Sequence, residues 1–402
     1  MKIKIITSLI LPLMLTSCVS IIRNVFGNQL VDSHYEPNQQ IKNFYTQIPY
    51  FITDGYIIIK AKVNDTEKEY NFIFDTGATT YISEKLIVSL NLKNGINLVS
   101  KDVNGNNVTG LSFLSTLKIG ELTIDNLRIN STNSEIFEDA KCYGKIDGII
   151  GSNVLKQGFY YFNSSNKTLI ITNQLEKLPK EKLANSQKIK RKMGKIYIPV
   201  FGYKKEWLLL DTGYADGNII LNKNSSLVSL NKKPLKEFEY YLKGLNSEKL
   251  TKISCYEQKI KIFKSTINTS LVRINRENSS NSIGNKFIRD NDIILDVKHK
   301  KIFATILNKN SVDTIPNIGL KYLNGIVKVN KIVIGSSINL RGIKLNDTVS
   351  KINNIKISDF KSECDFLNFK KVLFNKKSSI DIEIFKNKKY NTYSITKKAY
   401  YE

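Results

Sequence analysis

The sequence contains two Asp-Thr-Gly tripeptides, and each directly follows a run of apolar residues. The first is Asp75-Thr76-Gly77, after residues 72–74, and the second is Asp211-Thr212-Gly213, after residues 208–210. A strand would carry each aspartate to its end, where the glycine permits the sharp turn that presents the carboxylate. The threonine hydroxyl can hydrogen-bond across to the other copy and hold both loops rigid. Two carboxylates presented in this way are suited to general acid and base chemistry.

The two tripeptides occupy matching places in an internal repeat. In the first copy, strand-like residues 55–63 precede the aspartate and residues 147–155 close the copy. In the second copy, residues 194–200 and 282–288 take these places. The aspartate and the later glycine are separated by 151 − 75 = 76 residues in the first copy and by 284 − 211 = 73 in the second. The repeat predicts two similar, mainly β halves related by an approximate twofold axis.

These residues resemble the aspartic peptidase family. Residues 74–78 and 148–155 resemble the retropepsin pattern, and residues 210–213 with 282–285 repeat it in one chain, as in bilobal pepsin-like enzymes. The resemblance covers roughly residues 50–307. It implies two pseudo-symmetric β-barrel lobes with a peptide lying in the cleft between them. It also implies an aspartic endopeptidase in which Asp75 and Asp211 are catalytic, supported by Thr76, Gly77, Thr212 and Gly213.

The expected mechanism follows from electrostatics. Two carboxylates about 3 Å apart cannot both ionise, so the pair shares one proton over a wide pH range. The ionised member acts as general base on a bound water, while the protonated member polarises the scissile carbonyl. This chemistry needs no metal and no cofactor, and mildly acidic pH should favour it.

A flap should close over a substrate in such a cleft and exclude water. The best candidate is the hairpin whose turn contains Asn104-Gly105, although an ordinary surface hairpin would show the same pattern. Tyr214 departs from the family, which usually has a small residue at this position to support the carboxylate. This departure favours the alternative of a non-catalytic peptide-binding envelope lipoprotein that retains the fold.

Residues 313–402 resemble a PDZ domain of the bacterial type. Ile318-Gly319-Leu320 resembles the loop that binds a peptide carboxylate, while a helix is indicated around residues 360–374. Two alternating strands, residues 379–385 and 390–396, end the chain. The resemblance implies a small α+β module that recruits or positions peptides, and the alternative is a small β-rich domain with no peptide role.

The amino-terminal segment predicts export. Residues 1–17 combine a basic start with a short apolar run, and Leu-Thr-Ser-Cys at residues 15–18 resembles the lipobox of bacterial lipoproteins. The resemblance implies lipidation of Cys18 and a location in the bacterial cell envelope, at the outer rather than the inner membrane. An ordinary signal peptide containing a cysteine is the alternative. The remaining cysteines, Cys142, Cys255 and Cys364, are odd in number and widely spaced, so we expect no disulfide framework.

The domain boundaries follow from these patterns. We expect a tether at residues 18–48, a first lobe at 49–176, a solvated basic linker at 177–192, a second lobe at 193–310 and the module at 313–402.

The composition excludes several function classes. The formal net charge is +25, but the basic residues are spread along the chain without the stripe or aromatic platform of a nucleic-acid binder. The chain has only two histidines, His34 and His299, and no HExxH motif, which argues against Ser-His or zinc hydrolases. We therefore expect a monomer whose partners are peptides and, through Cys18, a lipid membrane.

Overall fold

The computed structural model describes most of the chain beyond residue 42. The described residues are 38–39, 43–93, 95–102, 104–134, 137, 144–156, 158–215, 217, 219–228, 233–245, 247–263, 265–277, 280–307, 316–376, 379–386 and 388–396. The predicted leader and Cys18 lie outside these residues. Within the described part of the chain, no helix has the length and apolar character that crossing a membrane requires.

The protein is mainly β, as predicted, and its first lobe is built almost entirely from strands. The elements are β1 (Asn38–Gln39), β2 (Tyr45–Pro49), β3 (Phe51–Thr53), β4 (Tyr56–Val63), β5 (Tyr70–Asp75), β6 (Tyr81–Ser83), α1 (Glu84–Ser89), β7 (Ile96–Lys101), β8 (Asn107–Ile119), β9 (Leu122–Thr132), β10 (Gly148–Gly151), β11 (Phe159–Asn163) and β12 (Thr168–Thr172). A 3₁₀ turn at Ser152–Val154 follows β10, and others lie at Leu175–Lys177 and Lys180–Leu183.

The second lobe repeats this order of elements. It contains β13 (Ser186–Lys188), β14 (Lys190–Lys192), β15 (Lys195–Phe201), β16 (Lys205–Asp211), β17 (Ile219–Leu221), β18 (Lys236–Lys243), β19 (Glu248–Ile262), β20 (Ser265–Asn275), β21 (Ser282–Gly284), α2 (Asn285–Arg289), β22 (Asn291–Asp296) and β23 (Lys301–Ile306).

The two lobes share one strand order. The order β4-β5-β10-β6-β9-β8 in the first lobe corresponds to β15-β16-β21-β17-β20-β19 in the second. In each lobe the strand that ends in the aspartate pairs in parallel with the short strand that ends in glycine, so Asp75 lies beside Gly151 and Asp211 beside Gly284. The repeat in sequence is therefore a repeat in topology.

A six-stranded sheet joins the lobes in the order β13-β23-β22-β11-β12-β2. Alternate residues of its central strands face a large apolar core shared by both lobes, including Tyr160, Phe162 and Leu295. Because strands from both lobes form this sheet and one core runs through them, the lobes are held together by buried apolar area as well as by hydrogen bonds.

Two segments predicted to be irregular contain strands. β2 lies in the predicted tether, where Thr46 is buried and Ile48 packs on the shared core. In the predicted linker, β13 pairs with β23 and β14 with β15, and Ile189 between them is buried. The basic run hid this structure, because its lysines alternate with inward-facing residues on a period of two.

The carboxy-terminal module has its own core. It contains β24 (Ile318–Leu323), β25 (Ile326–Val333), α3 (Ser337–Leu340), β26 (Thr348–Ile352), β27 (Ile355–Lys356), α4 (Glu363–Lys376), β28 (Ser379–Lys386) and β29 (Lys389–Thr396), with a 3₁₀ turn at Ile357–Asp359. The predicted helix and the two closing strands are confirmed. Helix α4 packs through Phe366 against residues such as Val329 and Ile382.

The cysteine prediction needs a correction. Cys255 is a buried thiol, but Cys364 is disulfide-bonded. Wide spacing in the sequence hid this pairing, because disulfide geometry depends on distance in the fold.

Candidate active site

Strands β5 and β16 bring the two aspartates together. Phe72 and Phe74 point into the core, so Ile73 and Asp75 face the opposite side of β5. A Cβ atom on Gly77 would collide with the carboxylate of Asp211, and one on Gly213 with that of Asp75. The glycines are thus required here for close approach of the second carboxylate.

Backbone amides hold each carboxylate in its loop. The N–H groups of Gly77 and Ala78 donate to Asp75 Oδ1 at 2.8 and 3.2 Å. In the second lobe the Gly213 N–H donates to Asp211 Oδ1 at 3.1 Å. These bonds fix the carboxyl orientations.

The threonines connect the two loops across the lobe boundary. The Thr76 hydroxyl donates to the Leu210 carbonyl at 2.5 Å, and the Thr212 hydroxyl donates to the Phe74 carbonyl at 2.6 Å. Both side chains are fully buried. Each loop is therefore tied to the other by a buried hydroxyl group.

Burial and mutual repulsion make the pair hold a proton. Burial raises the pKa of Asp211 to about 7, and the negative charge of Asp75 adds to this rise. Burial also raises the pKa of Asp75, while the amides of its own loop and the charge of Lys195 oppose the rise. At mildly acidic pH the pair thus contains both a proton donor and a base.

The segments after Gly151 and Gly284 support the loops from behind. The Ser152 N–H donates to the Ala78 carbonyl at 2.8 Å, and the Asn285 N–H donates to the Tyr214 carbonyl at 2.9 Å. Tyr214 is therefore the structural counterpart of Ala78. Its ring packs with an apolar cluster that includes Ile220 and Phe238, and its hydroxyl accepts from Arg273 at 3.0 Å.

The predicted flap is a hairpin formed by β7 and β8, with Asn104 and Gly105 in its turn. The Asn104 amide donates to Ser247 Oγ at 2.8 Å and to the Leu242 carbonyl at 3.2 Å. Asp102, in the same turn, accepts a short hydrogen bond from the Ser247 hydroxyl. The tip of this hairpin therefore contacts another hairpin in the second lobe.

This second hairpin, formed by β18 and β19, was missed by the sequence reasoning. Leu245 at its tip packs on an apolar cluster of the first lobe that includes Ile58, Ile73 and Ile149. The repeat held a usable signal, because Gly244 follows Asp211 by 244 − 211 = 33 residues and Gly105 follows Asp75 by 105 − 75 = 30. Each lobe therefore supplies one hairpin, and the two tips meet.

The module extends the sheet of the second lobe. Strand β25 pairs with β18, the first arm of the second hairpin, from Phe238–Val333 to Tyr240–Lys331. Asn346 donates to the Tyr241 hydroxyl at 2.9 Å, near the tip of the same hairpin. The module and the second hairpin are thus joined directly.

The three residues predicted to bind a peptide carboxylate lie in a strand. Ile318, Gly319 and Leu320 form the start of β24, which pairs with β25. The Leu320 carbonyl accepts from Lys370 Nζ on α4 at 3.2 Å. The structure does not bring these residues to the aspartate pair. The module contacts the second hairpin through β18 and through Lys321, which forms an ion pair with Glu248 of β19 at 3.2 Å.

Comparison with known proteins bears on the first lobe. A family model described as aspartyl protease matches residues 59–154, from β4 to the turn after β10. No curated protein matches the chain significantly. The match contains Asp75 and supports an aspartic peptidase-like domain, while Asp211 and the module lie outside it. Within the described residues, no group of three or more His, Cys, Asp or Glu could hold a metal ion.

Proposed function

We propose that this protein is an aspartic endopeptidase. It hydrolyses a peptide bond of a bound substrate with a water molecule that Asp75 and Asp211 activate. The observation that carries the proposal is the facing pair of carboxyl groups, each at the end of an equivalent strand in an equivalent loop. The loops are joined by buried threonines, so the pair is preorganised.

The reaction uses the shared proton. The ionised carboxylate removes a proton from a water molecule, whose oxygen attacks the scissile carbonyl carbon, while the protonated carboxyl donates to the carbonyl oxygen. Collapse of the resulting diol breaks the C–N bond. The leaving nitrogen takes the proton from the first carboxyl, and one diol hydroxyl returns a proton to the second carboxylate, so the product is a carboxylic acid and the pair again holds one proton. The two hairpins would cover the substrate during these steps.

The alternative of a non-catalytic peptide binder rests on Tyr214. Its ring packs with Ile220 and Phe238, and its hydroxyl is held by Arg273, so this bulky side chain has a place in the second lobe. This environment supports the enzyme over the binder, because the carboxyl pair keeps its loop hydrogen bonds beside Tyr214.

Three further properties belong to the same proposal. The module binds peptide segments at the edge strand β24 and positions substrates, for which its place beside the second hairpin is the support. Cys18 carries lipid that anchors the chain in the cell envelope, for which the lipobox is the support. The protein works as a monomer because both aspartates come from one chain.

The test is peptide cleavage by a chain that begins at Val19 and so retains every described residue. A diverse peptide library is incubated from pH 3 to 8 with the wild type, Asp75→Asn, Asp211→Asn and the control Asp65→Asn. Asp65 is an exposed residue of the β4–β5 turn. We expect cleavage by the wild type and the control and none by the other two. Cleavage that persists in both Asn variants, or a folded wild type that cleaves nothing, would overturn the proposal.

A further inference from the structure

Equivalent three-stranded faces lead away from the two aspartates. In the first lobe β3, β4 and β5 place Phe51, Ile58 and Ile73 side by side. In the second lobe β14, β15 and β16 place Lys190, Tyr197 and Leu209 in the same register. Ile73 and Leu209 each precede the aspartate by two residues, so these faces are the ones from which the carboxylates project.

The two faces differ in the polarity of their side chains. On the first, Phe51, Tyr56, Ile58 and Ile73 belong to one apolar cluster. On the second, the residues in the corresponding positions include Lys190, Lys192 and Lys195. An extended peptide crossing both lobes would thus meet apolar side chains on one side and cations on the other.

The cations of the second face surround a cavity of about 620 Å³. Among the described residues its lining has no acidic side chain and includes four cationic side chains and two rings: Lys190, Arg191, Lys192, Lys300, Tyr197 and Trp207. We call it the basic cavity. The Nζ atom of Lys190 lies 4.3 Å from the centre of the Trp207 ring, and that of Lys205 lies 5.2 Å from it.

Carboxylates neutralise some lysines elsewhere in the described part of the protein, but not those of this cavity. Among the described residues, no carboxylate forms an ion pair with Lys190, Lys192 or Lys300, whereas Lys249 pairs with Glu277 at 2.7 Å and Lys351 with Glu383 at 2.9 Å. Like charges that converge on one concave site raise its potential and attract a negatively charged ligand.

We propose that the basic cavity binds acidic side chains of the substrate. The inference rests on the proposed function, because it takes the cleft to hold a peptide. Trp207 precedes Asp211 by four residues of one strand, which is about 13 Å, and an extended peptide covers that distance with about four residues. The acidic segment therefore lies about four residues from the scissile bond, while the opposite end of the substrate is apolar.

A peptide fits the observations better than a phospholipid surface does. Trp207, Leu209 and Asp211 alternate along one face of β16, so the cavity is continuous with the strand that carries the catalytic group. Lys195 lies on the same face, and its charge acts on both aspartates. The exposed side chains of Met193 and Tyr203 nearby make membrane binding the competing outcome of the test.

Trp207 is the only tryptophan in the chain, so its fluorescence reports occupancy of the cavity. The chain from Val19 onward, carrying Asp75→Asn to prevent turnover, is titrated with twelve-residue peptides that have an apolar centre. Three peptides are compared. The first has three glutamates at its amino-terminal end, the second has them at its carboxy-terminal end, and the third has glutamines in place of the glutamates. We expect a shift of emission and at least tenfold tighter binding for one glutamate peptide, lost in 0.5 M salt.

The test variant combines Lys190→Gln, Lys192→Gln and Lys300→Gln, and the charge-matched control combines Lys93→Gln, Lys233→Gln and Lys356→Gln at exposed sites elsewhere. We expect only the test variant to lose the preference for glutamate, with thermal unfolding showing that both variants fold. An equal loss in the control would overturn the inference, because net charge would then explain the binding.

Two further arms separate the remaining outcomes. Vesicles with 30% phosphatidylglycerol that shift Trp207 emission, while the glutamate peptides do not, would assign the cavity to a membrane and overturn the inference. Preference for glutamate in a protein whose wild type cleaves nothing would sustain the inference and defeat only the catalytic proposal. Cleavage by the wild type without any glutamate preference would sustain the catalytic proposal and overturn the inference about the basic cavity.

Discussion

Thr76 and Thr212 exchange hydrogen bonds across the boundary between the lobes. Each hydroxyl accepts from the backbone N–H of the other threonine, at 2.9 and 3.2 Å, and donates to the carbonyl that precedes the other aspartate. All four bonds are buried, so each hydroxyl satisfies two backbone groups that would otherwise lack partners. The relative position of the carboxylates is thus set by the threonines.

Removal of one hydroxyl should destabilise the protein. Thr76→Ala leaves the Leu210 carbonyl and the Thr212 N–H unsatisfied, and we expect a loss of about 2–4 kcal/mol in the free energy of unfolding. Thr76→Ser retains the hydroxyl and should cost less than about 1.5 kcal/mol. Urea unfolding followed by circular dichroism measures both. Equal losses for the two substitutions would mean that the hydrogen bonds contribute little.

The aspartate pair should make stability depend on pH. The folded-state pKa of Asp211 is about 7, against 3.8 for the unfolded chain, so the folded protein holds more protons between these values. The contribution of Asp211 to the free energy of unfolding is fully present below pH 3.8 and is lost as pH rises through 7. Asp211→Asn cannot titrate, so we expect it to be more stable than the wild type by up to about 4 kcal/mol at pH 7.5, with no such gain at pH 3.5.

Thermal unfolding of both proteins between pH 3.5 and 8 tests this difference. Wild-type cleavage should fall over the same upper range, because the pair loses its shared proton as pH rises through about 7. A stability difference that does not vary with pH would contradict the assignment of this titration to Asp211.

The contact between the hairpin tips should limit their opening. Asn104→Ala removes the hydrogen bonds to Ser247 and to the Leu242 carbonyl. We expect hydrogen exchange at both tips to accelerate by about five- to twentyfold, which corresponds to about 1–2 kcal/mol. Asn106→Ala, in the same turn but exposed, is the control and should leave the rates unchanged. Acceleration in the first hairpin alone would show that the tips open independently.

Docking of the module should protect Cys255. This thiol is buried beside Val333 of β25 in the cluster that also holds Phe238. Val333→Ala removes two methyl groups from that contact, and we expect thiol labelling of Cys255 to accelerate by about tenfold.

Val329→Ala provides the matched control for this measurement. It makes the same truncation within the module's own core, where Val329 is fully buried. If it accelerates labelling as much as Val333→Ala does, Cys255 reports unfolding of the whole module rather than its separation from the second lobe.

Several features could be predicted because they are local. The apolar runs before Asp75 and Asp211, the glycines after them and the repeat around them are visible along the chain, and strand alternation and glycine turns follow from backbone geometry. Helix α4 was predicted for the same reason, from the spacing of Phe360, Cys364 and Phe366.

Other features depend on which distant strands pair. In the sequence, Lys190 and Lys192 look like part of a solvated linker. In the structure, β14 pairs with β15 and forms one wall of the basic cavity. Tyr214 departs from the expected small residue, and its place in the fold depends on Arg273, 59 residues away, which donates a hydrogen bond to its hydroxyl.

The sequence by itself determined the aspartate pair and the twofold plan, since both depend on short segments whose apolar spacing and glycines act locally. Only the tertiary structure decided that the second hairpin meets the first, that the module joins it through β18 and that cationic side chains gather beside Trp207. The physical reason is that backbone hydrogen bonds at the edge of a strand can form with strands of many different sequences. Its partner is selected by the burial of side chains from remote parts of the chain.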